Sequence, residues 1–266
     1  MSSNLDLELK GGVARVTMHR GSNNAIADDL LTDLAATFDE LGGDRGCRVV
    51  ILQSGLPRYF SVGADLAALG AIDREVADAE DRLAERILAS ARLFSRLEAC
   101  PKPVIAAISG HALGGGLELA LCCDYRIMVD DGQARIGQTE AALGLMPGAG
   151  GTQRLVRLIG RARALPLLLE ARRLSATQAL ELGLVDLAPP PEALAAAVDE
   201  LAGRLAESAT LALGLIKDAV NRGYGLSLDE GLEIEARNFA RSALSRDAMI
   251  GVMSFLAKQR PEFEGD

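Results

Sequence analysis

The feature that most restricts what this chain can become is an apolar run that ends in consecutive glycines. Residues Pro103 to Ser109 are apolar and rich enough in β-branched side chains to form a buried strand, and Gly114, Gly115 and Gly116 follow after four intervening residues. A short helix over Leu117 to Cys122 is expected next. A strand that passes into a helix through glycine belongs to α/β architecture, and the alternation recurs elsewhere. Leu5 to Lys10 and Val13 to Met18, split by Gly11 and Gly12, read as a β-hairpin. Leu30, Leu31, Leu34, Phe38 and Leu41 recur at helical spacing and stop at Gly42 and Gly43. Arg48 to Gln53 is then a strand, Asp73 to Leu97 a polar helix, Tyr125 to Val129 a strand, and Ala134 to Ile136 a shorter one. A second glycine-rich segment spans Gly144 to Gly151.

Pro189 to Pro191 is the clearest composition break, since consecutive prolines continue neither a helix nor a central strand. The expectation is an α/β core over residues 1–190 and a helical region over 191–266. The second region reads as helices at Glu192 to Glu207, Leu211 to Asn221, one opened by the capping box Ser227-x-x-Glu230, and Asp247 to Gln259 stopped by Pro261. A length of 266 residues suits one large domain with such an appendage.

Charge narrows the possible partners. Lys plus Arg is 28 against 37 Asp plus Glu, a formal charge of −9, which opposes nonspecific attraction to nucleic acid or anionic membranes. The four cysteines include no C-x-x-C pair, and only His19 and His111 could complete a zinc set, so no metal is expected. No disulfide framework is expected, which fits a reducing cytoplasm, and neither a signal segment nor a membrane helix is expected.

Two carboxylates are candidates for chemistry. Glu118 is the only acid between Lys102 and Asp124, and Glu140 is the only charged residue between Arg135 and Arg154; both stand among glycines and apolar residues. Such a carboxylate either faces solvent from an amphipathic element or is buried with a raised pKa, and the second state suits a general acid or base. The glycines beside them allow backbone N–H groups to approach a ligand closely. His19 and His111 read as structural, and Cys122 and Cys123 as core. The segment at Gly148 lacks the third glycine of a dinucleotide fingerprint, with Gln153 in its place.

Four segments, in this order and spacing, resemble the enoyl-CoA hydratase/isomerase (crotonase) family: Ser61 to Leu66, Pro101 to Ala107, Gly110 to Ala120, and Gln138 to Glu140 through Pro147 to Leu155. The likeness continues through Ser175-Ala176, Ala179 to Val185 and the closing Gln259 to Phe263. It implies a crotonase-like spiral of ββα units, with C-terminal helices that assemble a homotrimer or a dimer of trimers. It implies acyl-CoA as substrate and no cofactor beyond the CoA of the thioester. It assigns catalysis to Glu118 and Glu140, an oxyanion hole to the N–H groups of Ala64 and Gly115, and substrate contacts to Ala25, Gly63, Asp65, Gly114, Gly116, Pro147 and Gly148. Leu83, Ile87 and Leu88 are expected to line an acyl pocket, and Phe255 or Lys258 to approach a neighbour's CoA.

The sequence departs from the family pattern in three places. The segment His19 to Ala25, which helps hold the CoA adenine in relatives, lacks the usual proline and is one residue shorter. Thr139 replaces a common proline, and Asp130-Asp131-Gly132 lengthens the preceding turn. The implied reaction is addition of water to a trans-2-enoyl-CoA. A one-carboxylate double-bond isomerisation is the same-family alternative, and a noncatalytic RNA-binding role is opposed by the net charge.

Overall fold

The computed structural model describes residues 4–65 and 77–266. Leu66 of the first family segment and the expected helix start at Asp73 lie outside the described residues. The hairpin forms as β1 (Leu5–Lys10) and β2 (Val13–Met18), antiparallel with Leu5 opposite Met18. Helix α1 (Asp28–Gly43) follows, then β3 (Val49–Ser54), β4 (Tyr59–Ser61) and α2 (Ala79–Glu98). Next come β5 (Val104–Ile108), β6 (His111–Leu113), α3 (Gly115–Leu121), β7 (Tyr125–Met128) and β8 (Ile136–Gly137).

The strands divide between two sheets, a five-stranded one in the order β1-β2-β3-β5-β7 and a three-stranded one in the order β4-β6-β8. From β2 onward the pairings in both sheets are parallel. The chain therefore lays one strand on each sheet per turn, β3 with β4, β5 with β6, β7 with β8, which is a spiral of repeated ββα units.

The large sheet is covered on both faces, and for that reason β3 and β5 read as unbroken apolar runs. Successive side chains point to opposite faces. Val50, Leu52, Val104, Ala106 and Ile108 pack with Leu34 and Phe38 of α1 and Phe94 and Leu97 of α2. Val49, Ile51, Ile105, Ala107 and Ile127 pack instead with Val198, Ala202 and Ala206. Each fully buried Leu or Phe in these layers contributes roughly 1.5–3 kcal/mol of transfer free energy.

Beyond β8 lie a 3₁₀ turn (Glu140–Leu143), then α4 (Gly151–Ile159), α5 (Arg161–Leu169) and α6 (Ala176–Glu181). The last four helices are α7 (Pro191–Ala206), α8 (Thr210–Gly223), α9 (Leu228–Ala243) and α10 (Arg246–Ala257). Two local expectations change. Pro191 opens α7 as its first residue, where a missing N–H costs nothing. The residues before it run beside β7, where the Leu187 and Pro189 carbonyls accept from the N–H groups of Met128 and Asp130 at 3.0 and 2.8 Å. At the other end α10 stops at Ala257, before Pro261, because Lys258 takes a left-handed conformation with φ 55°. The capping box of α9 forms as expected, with Ser227 and Glu230 satisfying each other's backbone N–H. Among the described residues no helix is long and apolar enough to cross a membrane.

Candidate functional site

The site is assembled where the two sheets hand over to α3. Ser61, fully buried at the end of β4, donates its hydroxyl to the Asn24 carbonyl at 2.7 Å and accepts from the Gly63 N–H at 3.2 Å. The Gly63 carbonyl in turn accepts from Ile26 N–H at 2.7 Å, and Asp65 N–H donates to Ile26 at 2.9 Å. These bonds hold Gly63 at φ +93°, a region open to glycine. They also leave the intervening Ala64 N–H pointing away from Ile26.

It points toward α3. A Cβ built on Gly115 would stand 3.4 Å from Ala64 N, and one built on Gly63 would stand 2.9 Å from Gly115 N. Among the described residues neither the Ala64 nor the Gly115 N–H donates to an acceptor in the chain. Two neighbouring, undonated N–H groups are suited to a single carbonyl oxygen on which negative charge develops.

Gly114 makes the turn from β6 into α3 at φ 53° and ψ −124°. The absent side chain matters twice, because a Cβ there would also come within 2.8 Å of Glu140 Oε1. Gly116 is a glycine for space alone, its face lying against the Ser61 carbonyl of β4.

Glu118, one turn into α3, is 3 % exposed. Its Oε1 accepts from the N–H groups of Ala149 and Gly151, each at 2.8 Å. Burial pushes its pKa up, while those two bonds and the nearby Arg154 charge work against the rise. Among the described residues Oε2 has no protein donor.

Glu140 begins the 3₁₀ turn opposite. Gln138, itself buried, donates its amide to both Glu140 oxygens at 3.1 Å and to the Gly114 carbonyl at 3.3 Å in the orientation that satisfies its surroundings. Burial first, and the neighbouring Glu118 charge in addition, raise the Glu140 pKa to about 7. The two glutamates thus differ in kind. One is pinned by backbone amides, and the other is poised near neutrality beside it.

The remaining expected site residues are distributed around this pair. Ala25 offers its carbonyl to Arg20 at 3.0 Å, and Arg20 also faces Asp65 at 3.5 Å and pairs with Asp29, so the atypical segment is tied to α1 through an arginine. Pro147 is buried under Gly151, and Gly148 is exposed and faces Ile87 of α2. Leu83 and Ile87 are half-buried, whereas Leu88 is 52 % exposed. The lengthened turn closes on itself, Asp131 accepting from Gln133 and Ala134 N–H at 2.8 and 2.7 Å.

His111 accepts from Arg135 N–H at 3.1 Å, and burial lowers its pKa, which fits the structural reading. His19 faces Asp6 at 3.4 Å. Cys122 and Cys123 are buried thiols with pKa values pushed up by burial. Gln138, Ala149, Gly151 and Arg154 are the members of the site to which sequence reasoning assigned no part. Three of them act through backbone or amide groups in glycine-rich segments, where no side-chain pattern marks them.

The sequence model of the enoyl-CoA hydratase/isomerase family matches residues 8–266. A probable enoyl-CoA hydratase of Bacillus subtilis is 37% identical over 255 residues, covering 96% of each chain. A short-chain-enoyl-CoA hydratase of Clostridium acetobutylicum is 36% identical, covering 98% of this chain and 97% of the other. The crystal structure of an enoyl-CoA hydratase from Bacillus anthracis superposes with a TM-score of 0.89 at 33% identity, covering 99% of this chain and 100% of that one.

Proposed function

Since the chain belongs to the enoyl-CoA hydratase/isomerase family, we propose that it is an enoyl-CoA hydratase, a hydro-lyase that adds water reversibly to a trans-2-enoyl-CoA to give a 3-hydroxyacyl-CoA. The observation that carries this reading is the pairing of Glu118, with one oxygen held by two amides and the other unengaged, against Glu140, whose pKa lies at about 7.

In this reading the thioester carbonyl accepts from the Ala64 and Gly115 N–H groups, which polarise the conjugated double bond and hold the enolate oxygen. Glu118 Oε2 takes a proton from water as its oxygen bonds to Cβ. Glu140, protonated, delivers its proton to Cα as the enolate collapses. The water proton remains on the pair, so the next turnover needs only its transfer from Glu118 to Glu140. Two close carboxylates that hold one proton between them are suited to this exchange, and their titration belongs to the pair.

Glu118 is the base because amides that stabilise its anion fix its orientation. Glu140 is the acid because burial keeps it protonated near neutral pH. Gly63, Asp65, Gly114 and Gly116 shape the oxyanion loops, Ala25 and the Arg20 network border the CoA side, and Pro147 and Gly148 border the acyl side with Ile87.

We place the reaction in fatty acid β-oxidation or a related acyl-CoA route, in the cytoplasm, with no cofactor beyond the substrate's CoA. Residues 191–266 serve assembly into a homotrimer or a dimer of trimers. The exposed apolar side chains Leu228, Phe239, Leu244, Phe255 and Leu256 on α9, α10 and the turn between them support that assignment.

The test is loss of enoyl thioester absorbance with crotonyl-CoA and longer trans-2-enoyl-CoAs, with product analysis over an acyl-CoA panel. Hydration to the 3-hydroxyacyl-CoA is expected. If trans-2-enoyl-CoAs are untouched while 3-enoyl-CoAs shift their double bond, the enzyme is an isomerase. Salt-sensitive RNA binding with no acyl-CoA turnover would replace both readings.

A further inference from the structure

Arg154 lies on the first turn of α4 and is half-buried, with its side chain 13 % exposed. Its guanidinium reaches in two directions. Nε and Nη2 both donate to Glu98 Oε2 on α2, at 3.0 and 2.8 Å, and Nη2 also donates to Ser95 Oγ at 3.1 Å. Nη1 donates to the Ala149 carbonyl at 2.8 Å.

Ala149 is the residue whose own N–H donates to Glu118. Both polar groups of this one residue are therefore engaged, the N–H toward the carboxylate and the carbonyl toward the guanidinium. Gly150 follows at φ 110°, and a Cβ there would collide with Arg154 Nη1. The guanidinium thus packs directly on the loop that carries both amide donors to Glu118. Removing such a cation from water costs free energy, and a planar five-donor fork is well suited to fixing a loop in return.

We propose that Arg154, anchored by Glu98, is a positioning residue that holds the Ala149–Gly151 loop in the one geometry in which two N–H groups grip Glu118 Oε1 and leave Oε2 for the reacting water. The inference rests on the hydratase reading above for its catalytic part. Its structural part, the locked loop, is measurable without activity.

The same arrangement sets charge around Glu118. Among the described residues the ionisable groups facing it are Glu140 from the 3₁₀ turn, Arg154 from α4 with Glu98 of α2 behind it, and Cys122 at the end of its own helix, whose Sγ–H donates to the Glu118 carbonyl at 3.3 Å. Cys122 stays neutral because burial raises its pKa. Arg154 is thus the one cation in the set. Losing it removes a charge that lowers the Glu118 pKa, and loosening the loop removes two hydrogen bonds that do the same. Both changes move the acid limb of the pH–rate profile upward, since the base must be ionised.

The experiment compares Arg154→Gln, Arg154→Lys and Glu98→Gln with wild type in the full-length enzyme. Three quantities are read: kcat and KM for crotonyl-CoA, the pH dependence of kcat/KM, and amide hydrogen exchange of peptides spanning residues 145–155. Arg154→Gln is expected to lower kcat about 10- to 100-fold with KM within about threefold, and to raise the acid limb by about one pH unit. Exchange should quicken in the 145–155 peptides and not in β3 or β5.

Arg154→Lys keeps the charge but not the fork, so the acid limb rises less than in Arg154→Gln while part of kcat is lost. Glu98→Gln also keeps the charge and weakens only the anchor. It should lose several-fold in kcat, quicken exchange in the loop, and raise the limb less than Arg154→Gln does, because only the loosened hydrogen bonds act. Glu98 sits at the rim with its side chain 35 % exposed, so this variant remains informative should Arg154→Gln fail to fold.

Folded variants with wild-type kcat and an unmoved acid limb overturn the positioning role, even if exchange quickens. Unchanged exchange in the loop overturns the lock itself. A wild-type enzyme that leaves enoyl-CoAs untouched defeats the hydratase reading instead, and the exchange data still decide whether Arg154 locks the loop.

Discussion

Replacing Glu140 with Gln should inactivate the enzyme and stabilise it at the same time, with the stabilisation growing as pH rises. The Glu140 pKa stands at about 7 in the folded protein against an ordinary 4.5 for a solvated glutamate. At about 1.4 kcal/mol per unit the shift sets an upper bound of roughly 3 kcal/mol on the cost of ionising the group in place. The side chain is only half-buried, so solvent screens part of that cost, and about 1–2 kcal/mol is the expected share. Because the folded value lies above the unfolded one, the protonated group carries no penalty below about pH 4.5. Its relative stability is lost as pH climbs through 7. Gln is neutral throughout and carries no such penalty. Its amide costs at most one hydrogen bond, since Gln138 can turn its own amide to accept from it.

Urea denaturation from pH 5 to 8, at one protein concentration because assembly adds to apparent stability, should show the Gln variant gaining about 1–2 kcal/mol on wild type across that range. Over the same range kcat should stand lower by about 10² to 10⁴. Parallel stability curves for the two proteins would refute the reasoning. So would a gain that shrinks toward pH 8.

Glu118→Gln should also lower kcat by about 10² to 10⁴, and the double variant should fall far short of the product of the two effects, because both groups act on one water. Near-wild-type turnover in Glu118→Gln, with Glu140→Gln inactive, would favour one-base isomerisation. Gly114→Ala should fold less stably and lose at least about tenfold in kcat, since the new methyl meets Glu140 Oε1 at a positive φ, and kinetics with a melting curve check both halves. Light scattering should report a trimer or hexamer, and Phe239→Asp on α9 should shift it toward monomer; a wild-type monomer at micromolar concentration would contradict the assembly region.

Much of the fold was legible because it rests on local rules. The hairpin, α1, β3, β5 and β7 fall within a residue or two of where periodicity and glycine breaks put them. What escaped was short or irregular. Strand β4 is three residues long, and β6, also three, lies inside a segment that reads as a glycine loop. Both exist because the spiral adds a strand to the second sheet at each turn, a tertiary reason that no window of sequence contains. Helix α5 carries Pro166 in its interior, and propensity alone argues against it. The short α6 is opened by a capping box at Ser175 and Gln178, a signal that local sequence does carry.

At the site, the two carboxylates look alike in sequence, each isolated among glycines and apolar residues, and that isolation is what marks them. Their different states come from partners far along the chain. Glu118 is gripped by amides of residues 149 and 151 and faced by Arg154, while Glu140 is touched by Gln138 and by the bare backbone of Gly114. Burial pushes both pKa values up; at Glu118 two backbone N–H bonds and the Arg154 guanidinium oppose the rise, whereas at Glu140 the neighbouring Glu118 charge adds to it. In the proposed reaction the division of labour between base and acid is therefore decided by the Pro147–Arg154 segment. Substitutions in that segment should exchange or blur the two roles before any change beside the glutamates does.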